Sequence, residues 1–149
     1  MKRQGGFTLI EMIVVIVILG ILAVTAAPKF LNFTTEAKAA TLKGVEAAIQ
    51  SAANITHGKF VLGQSVDGVT FEQGYPSGET IAKAFTLSGD MEEFETAPDG
   101  YDTAFGFVGD TSSTSTCFVG YKEAKAAGAD PIANPATIFS TEVVSTGCN

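Results

Sequence analysis

Glu11 is the only ionisable side chain in the apolar run FTLIEMIVVIVILGILAVTAA, from Phe7 to Ala27. A charge at the centre of a bilayer costs roughly 2.5–3.5 kcal/mol on insertion scales, so a carboxylate placed there calls for a partner. Two other groupings have chemical potential. Cys117 and Cys148 can form a disulfide or remain as buried thiols, and with His57 as the single histidine a zinc site is not expected. The run GDMEEFETAPDGYD brings Asp90, Glu92, Asp99 and Asp102 near one another in sequence. These are the oxygen donors that calcium takes, but the spacing is not that of an EF-hand loop, and a solvated acidic loop is the plainer reading. Catalysis has little to draw on. The chain contains no G-x-S-x-G, P-loop, H-E-x-x-H or Rossmann glycine pattern, and one histidine leaves no base with an orienting partner. Neither an enzyme nor a resident cofactor is expected.

The elements that must position these groups follow from length and periodicity. At 149 residues the chain has room for one domain and an anchor. The apolar run is long enough to cross a hydrocarbon core of about 30 Å as a helix. A secretory signal peptide is its rival, with Ala26-Ala27 as a cleavage site, but Glu11 does not belong inside a signal-peptide core. Lys2 and Arg3 in front of the run place the N-terminus on the cytoplasmic side and the remainder across the membrane. An oxidising space there favours a Cys117–Cys148 disulfide, which in the chain-entropy model contributes roughly 3–4 kcal/mol.

Beyond Pro28, the Ala-rich stretch from Phe30 to Ile55 spaces Leu42, Val45, Ile49 and Ala52 three and four apart, which predicts an amphipathic helix with one buried stripe. Proline flanked by strong helix on both sides kinks a helix more readily than it ends one. The helix is expected to run to about His57, whose charge would complement the helix dipole, with Gly58 as C-cap. Lys59–Leu62 and Val66–Phe71 are expected strands, and Glu79–Leu87 a short helix with Ser77 as N-cap. Tyr101–Val108, Thr116–Tyr121 and Thr137–Val144 carry the β-branched and aromatic content of a sheet, expected to pair antiparallel against the helix. The fold class is therefore α+β. Its expected divisions are a leader (1–6), a membrane helix (7–27), an amphipathic half-helix (28–58) and a small β-rich head (59–149).

The formal net charge is −7, and −9 once Lys2 and Arg3 are removed. Between Asp67 and Asp110 there are ten acidic residues against the single cation Lys83, which argues against nucleic acid as a ligand. The Ser/Thr run 111–116 reads as a polar surface loop, and the sequons Asn32-Phe33-Thr34 and Asn54-Ile55-Thr56 both fall on the expected helix.

The string Gly6-Phe7-Thr8-Leu9-Ile10-Glu11 ahead of a long apolar helix resembles the prepilin-peptidase motif of type IV pilins and the related pseudopilins. The resemblance implies cleavage between Gly6 and Phe7, N-methylation of Phe7, and a Glu11 that registers each subunit on the Phe7 amine of its neighbour. It implies as partners the peptidase, the pilus assembly machinery and further copies of the chain. It also implies an inner-membrane precursor, an extracellular filament, a pilin fold and a weak point of the helix between Gly20 and Pro28. The C-terminal cysteine pair is similar to the disulfide-bounded region of pilins. The major pseudopilin of type II secretion usually lacks that pair and has a tryptophan-containing segment, whereas this chain has no Trp. More narrowly, Ile55-Thr56-His57-Gly58-Lys59 and the short acidic head resemble mannose-sensitive haemagglutinin pilins, implying surface attachment and biofilm formation. Two other readings stand beside the pilus subunit: a type II secretion pseudopilin, and a monomeric membrane-anchored binding module.

Overall fold

The computed structural model describes residues 6–128 and 136–148, with side chains throughout except at 27–32. It opens with one helix, α1 (Leu9–Val61). Leu, Ile, Val and Ala dominate it. Helix continues through Pro28, as expected of a proline between strong helical segments, although Pro28 can donate no bond to the carbonyl of Val24. One turn earlier, the Thr25 hydroxyl donates to the carbonyls of Ile21 (3.3 Å) and Leu22 (3.0 Å), so this polar group is satisfied within the apolar span.

The C-terminal end corrects the sequence reading. Gly58 does not cap α1, and Lys59–Leu62 is not a strand but its last turn and exit. The stop is at Gly63, whose φ of 70° is left-handed. Its N–H bonds to Phe60 O at 2.9 Å, while Gln64 N–H reaches back to Lys59 O at 2.9 Å. This pair of bonds is the Schellman arrangement, which favours glycine at its left-handed position. Phe60 packs on Phe71 with ring centroids 5.1 Å apart, which rewards the extra turn.

The chain divides into two compact units, one ending at Ala37 and the other spanning Lys38–Cys148. α1 belongs to the unit of the sheet from Lys38 onward. In that second unit, this stretch of α1 lies with a four-stranded antiparallel sheet in chain order: β3 (Met91–Glu93), β4 (Thr103–Phe107), β5 (Phe118–Lys122) and β6 (Ser140–Val144). A hairpin, β1 (Phe71–Glu72) with β2 (Tyr75–Pro76), and a 3-10 turn (Ile81–Ala84) precede the sheet. The stripe read from the sequence is the packed one: Leu42, Ile49 and Ala52 are buried and Val45 half-buried. Leu42, Ile49 and Ala53 share a core with Ile81, Met91, Phe105, Val119 and Tyr121. Glu46 and Gln50 on the same helix both engage the Thr141 hydroxyl, at 3.0 and 2.6 Å, tying β6 to α1.

Three further expectations shift. Of Val66–Phe71 only Phe71 is in a strand, since Asp67-Gly68 turns the chain. The helix expected at Glu79–Leu87 contracts to the 3-10 turn with Thr80, not Ser77, at its N-cap position. There the hydroxyls of Thr70, Ser77 and Thr80 bond one another, and Phe85 turns extended to set its ring edge-on against Phe105 at 5.3 Å. Local hydroxyl bonding and tertiary packing thus override helix propensity. Strand β3 falls in the acidic run that reads as a loop from sequence.

The sheet's outer face carries a second cluster of Phe94, Ala104 and Phe118, flanked by Tyr101. Tyr101 lies so close over β5 that a Cβ at Gly120 would clash with its ring. Its hydroxyl donates to Glu142 at 2.7 Å, and burial together with that carboxylate pushes its pKa up to about 12. Burial, with the charges of Glu123 and Asp102, likewise raises Tyr121, whose hydroxyl donates to Pro76 O at 2.6 Å. A tyrosine raised on folding from about 10 contributes stability fully below pH 10 and loses it as pH climbs through the folded value. The denaturation midpoint of the protein is therefore expected to fall between about pH 10 and pH 12. Tyr101→Phe should flatten that fall, and an identical pH profile in wild type and variant would refute this cause.

Candidate functional site

Over Leu9–Ala26 the mean hydropathy of α1 is 2.9 and none of the residues is buried within the chain. The large apolar side chains of this span are exposed on every face, from 48% at Ile13 to 77% at Leu9 and Val24. A helix apolar all round satisfies its own backbone but leaves its side chains to be covered by lipid or by other helices. By length and composition it is able to cross a membrane.

Gly6, Phe7 and Thr8 precede the helix in non-helical backbone, all three exposed, with Phe7 at 84%. Among the described residues, nothing lies within 4 Å of where a Gly6 Cβ would be. None of them covers the Gly6–Phe7 peptide bond. Lys2 and Arg3 lie outside the described residues.

Glu11 sits in the first turn of α1. Its Oε2 accepts from the Thr8 backbone N–H at 2.8 Å and from the Thr8 hydroxyl at 2.7 Å, while Glu11 N–H donates to Thr8 Oγ1 at 3.3 Å. This reciprocal pattern is a capping box, Thr8 at the N-cap and Glu11 three residues on. A carboxylate in the first turn also complements the positive end of the helix dipole. Thr8 is the helix-capping residue that sequence reading missed. Its signal is T-x-x-E immediately before an apolar run. Farther along α1, Gly20 is exposed and helical, with open space where a Cβ would stand.

At the other end of the chain, Cys117 and Cys148 form a disulfide, with Cα atoms 4.9 Å apart and both residues buried. It pins the segment after β6 beside the start of β5, where Gly147 N–H also donates to Thr116 O at 3.0 Å.

The acidic run does not assemble a metal site: among the described residues no three His, Cys, Asp or Glu side chains are placed to hold an ion. Strand geometry is the reason, since consecutive residues of β3 point to opposite faces. Glu92 accepts from Gly109 N–H and the Thr111 hydroxyl, both at 3.0 Å, while Glu93 accepts from Thr103 at 2.9 Å. Asp102 accepts from Glu123 N–H at 2.9 Å and lies 3.6 Å from Lys125 Nζ. Asp90 and Asp99 are exposed. The bonded carboxylates fasten loops.

His57 is likewise a fastener. It lies a turn before the helix end, so it does not serve the C-terminal dipole as expected. Its Nδ1 is 2.9 Å from Gly74 O, a carbonyl that can only accept, so this nitrogen carries the proton; the ring stacks on Tyr75 at 4.2 Å. Thr56 of the second sequon is buried, and its hydroxyl donates to Ala52 O at 2.8 Å. The side chain of Asn32, which begins the first sequon, lies outside those described. Ser112, Ser113 and Thr114 of the polar run are exposed. A cleft of about 310 Å³ is lined by Thr70, Glu72, Ser77, Glu79, Asp102 and Glu123 among others.

Residues 1–27 match the family model of the prokaryotic N-terminal methylation motif. The chain is 32% identical over 100 residues to Type II secretion system core protein G of Pseudomonas aeruginosa, covering 66% of this chain and 70% of that protein. It is 48% identical over 50 residues to Type IV narrow pilus major component PilA5 of Thermus thermophilus, covering 34% of this chain and 43% of that one. A Fimbrial protein of Pseudomonas aeruginosa is 38% identical over 64 residues, 42% of each chain. The chain thus spans less than half the length of these two pilus relatives. No solved structure matches it.

Proposed function

Because this chain belongs to the type IV pilin family, the structural subunits that comprise pilins and type II secretion pseudopilins, we propose that it is the subunit of an extracellular type IV pilus supporting surface attachment. It is a structural protein, not an enzyme. In this reading a membrane peptidase cuts the inner-membrane precursor between Gly6 and Phe7, and the new terminus is N-methylated. Copies then pack their α1 helices into a filament core, with Glu11 of one meeting the cationic amine of Phe7 on the next.

The observation that carries the proposal is the helix Leu9–Ala26, apolar on every face and uncovered by its own chain, yet holding one carboxylate. Fully burying each Leu, Ile or Val side chain contributes roughly 1.5–3 kcal/mol relative to water, which a bundle of copies supplies outside the membrane. A wrong register leaves both a carboxylate and an amine unpaired in dry surroundings. A monomeric binding module gives no use for that charge.

The pseudopilin reading is favoured by the 100-residue match to protein G. The pilus reading draws on the C-terminal disulfide and on the fimbrial relative. The Ile55–Lys59 run supports the narrower haemagglutinin-pilin assignment, and with it attachment. Mass spectrometry and electron microscopy of material sheared from the cell surface discriminate between them. A pilus subunit is recovered in long fibres, as a chain beginning at methylated Phe7, from cells that lack type II secretion genes, and cells without it attach poorly. Fibres found only when the secretion genes are overexpressed would reassign it to the pseudopilins.

A further inference from the structure

We propose that the unit Lys38–Cys148 joins a second copy of itself head to tail, the Val108 turn of one copy seating in a pocket at the end of α1 on the next; this rests on the assembly reading above. The pocket, of about 370 Å³, is lined by Phe60, Gly63, Gln64, Ser65, Val69 and Phe71. Phe60 is held against Phe71, but Val61 and Leu62 in the last turn and exit of the helix stand 69% and 74% exposed. Exposed apolar side chains that cluster, rather than scatter singly, mark an interaction surface. Val108, 59% exposed, supplies the complement. It sits at the second position of a turn closed by Asp110 N–H on Phe107 O at 2.9 Å, with Gly109 left-handed at φ 85° in the third position, where such a turn favours glycine. Gly109 N–H is in turn fastened to Glu92 at 3.0 Å. A rigid turn with an aliphatic tip docks without first having to be ordered.

Pocket and turn lie at opposite ends of the unit. Lys38 Nζ is 5.8 Å from the centroid of the Phe107 ring, which places the Val108 turn where α1 enters the unit. At the other end of β4, Thr103 pairs with Tyr121, whose hydroxyl bonds Pro76 O, and the adjoining Tyr75 stacks on His57 near the end of α1. Between Lys38 and Val61 the helix rises about 35 Å. Contact between such ends is heterologous and repeats from copy to copy, which is how an open filament grows. Charge fits the same pairing. Lys59 is exposed at the pocket end and Lys83 lies against Gly68 there, offsetting Asp67, while Asp90 and Asp110 are exposed beside Val108. Opposed charges around an apolar contact fix its register and reject wrong partners.

The test places cysteines at Ser65, on the pocket wall, and at Val108, in the full chain expressed with its assembly machinery, and treats sheared fibres with a short bismaleimide. Cys117 and Cys148 are joined to each other and do not react. Ser65→Cys with Val108→Cys is expected to give a ladder of dimers, trimers and longer multimers on a denaturing gel, and either single variant only monomer. A companion measurement needs no cysteine: Val108→Asp should lower fibre yield about tenfold or more, the loss of one buried aliphatic side chain, with Val108→Leu near wild type. Membrane content and formation of the Cys117–Cys148 disulfide should be equal in all variants, which controls for folding. Monomer from fibres of the double variant, cross-links from Val108→Cys alone, or equal yields from Val108→Asp and Val108→Leu overturns the proposal. If the double variant makes no fibres, the two yields decide. Any of these results beside normal wild-type fibres leaves the assembly reading standing; a wild-type chain that forms no fibres removes both.

Discussion

Glu11→Gln is expected to cut fibre yield by about a hundredfold or more while leaving membrane insertion and cleavage after Gly6 unchanged. Glutamine has nearly the same shape, and its amide oxygen can still accept from Thr8, so the start of α1 is retained. The variant removes charge alone. The amine of the neighbouring Phe7 would then be buried without a counter-ion, and breaking one side of a buried pair costs about 3–5 kcal/mol, or roughly two to three and a half orders of magnitude in an equilibrium. Quantifying mature subunit in the sheared fraction against subunit in membranes reads this directly. Equal ratios in wild type and variant would show that the carboxylate plays no part in packing.

Cys117→Ala with Cys148→Ala is expected to lower the stability of the head by roughly 3–4 kcal/mol, from the chain entropy of a loop whose ends are 31 residues apart. That is a large share of the roughly 5–15 kcal/mol available to a small domain. For a unit of this size the melting temperature should fall by about 15–30 °C, measured by circular dichroism of the detergent-solubilised chain. The bond closes the region holding β5 and β6, and β6 is where Gln50 and Glu46 of α1 meet the sheet. Loosening it should therefore also release the helix–sheet contact, visible as faster hydrogen exchange in β6. A melting temperature within a few degrees of wild type would contradict this role.

The α1 helix is legible in the sequence because its signals are local and repeated: an unbroken apolar run, then Leu42, Ile49 and Ala52 at helical spacing. Its end is not, since Gly58 and Gly63 are both eligible caps and only the packing of Phe60 on Phe71 chooses between them. The three longer strands announce themselves through β-branched and aromatic residues. Strand β3 does not, because Met91-Glu92-Glu93 gives one buried apolar position and two carboxylates whose partners, Gly109, Thr111 and Thr103, lie 10 to 19 residues away. For the same reason the acidic run resembles a ligand set in sequence and proves to be a set of loop ties. At the start of α1, Glu11 stands out as a charge in an apolar run. Thr8 is less conspicuous, although T-x-x-E is in plain view, because a charge in hydrocarbon points to a cation from another copy before it points to a hydroxyl three residues away.

A high-resolution electron-microscopy structure of the assembled fibre is the most direct measurement, reading the distance from the Phe7 amine of one subunit to the Glu11 carboxylate of the next. The account predicts a nitrogen-to-oxygen separation within about 4 Å. A carboxylate facing solvent, or an amine paired to some other group, would contradict it.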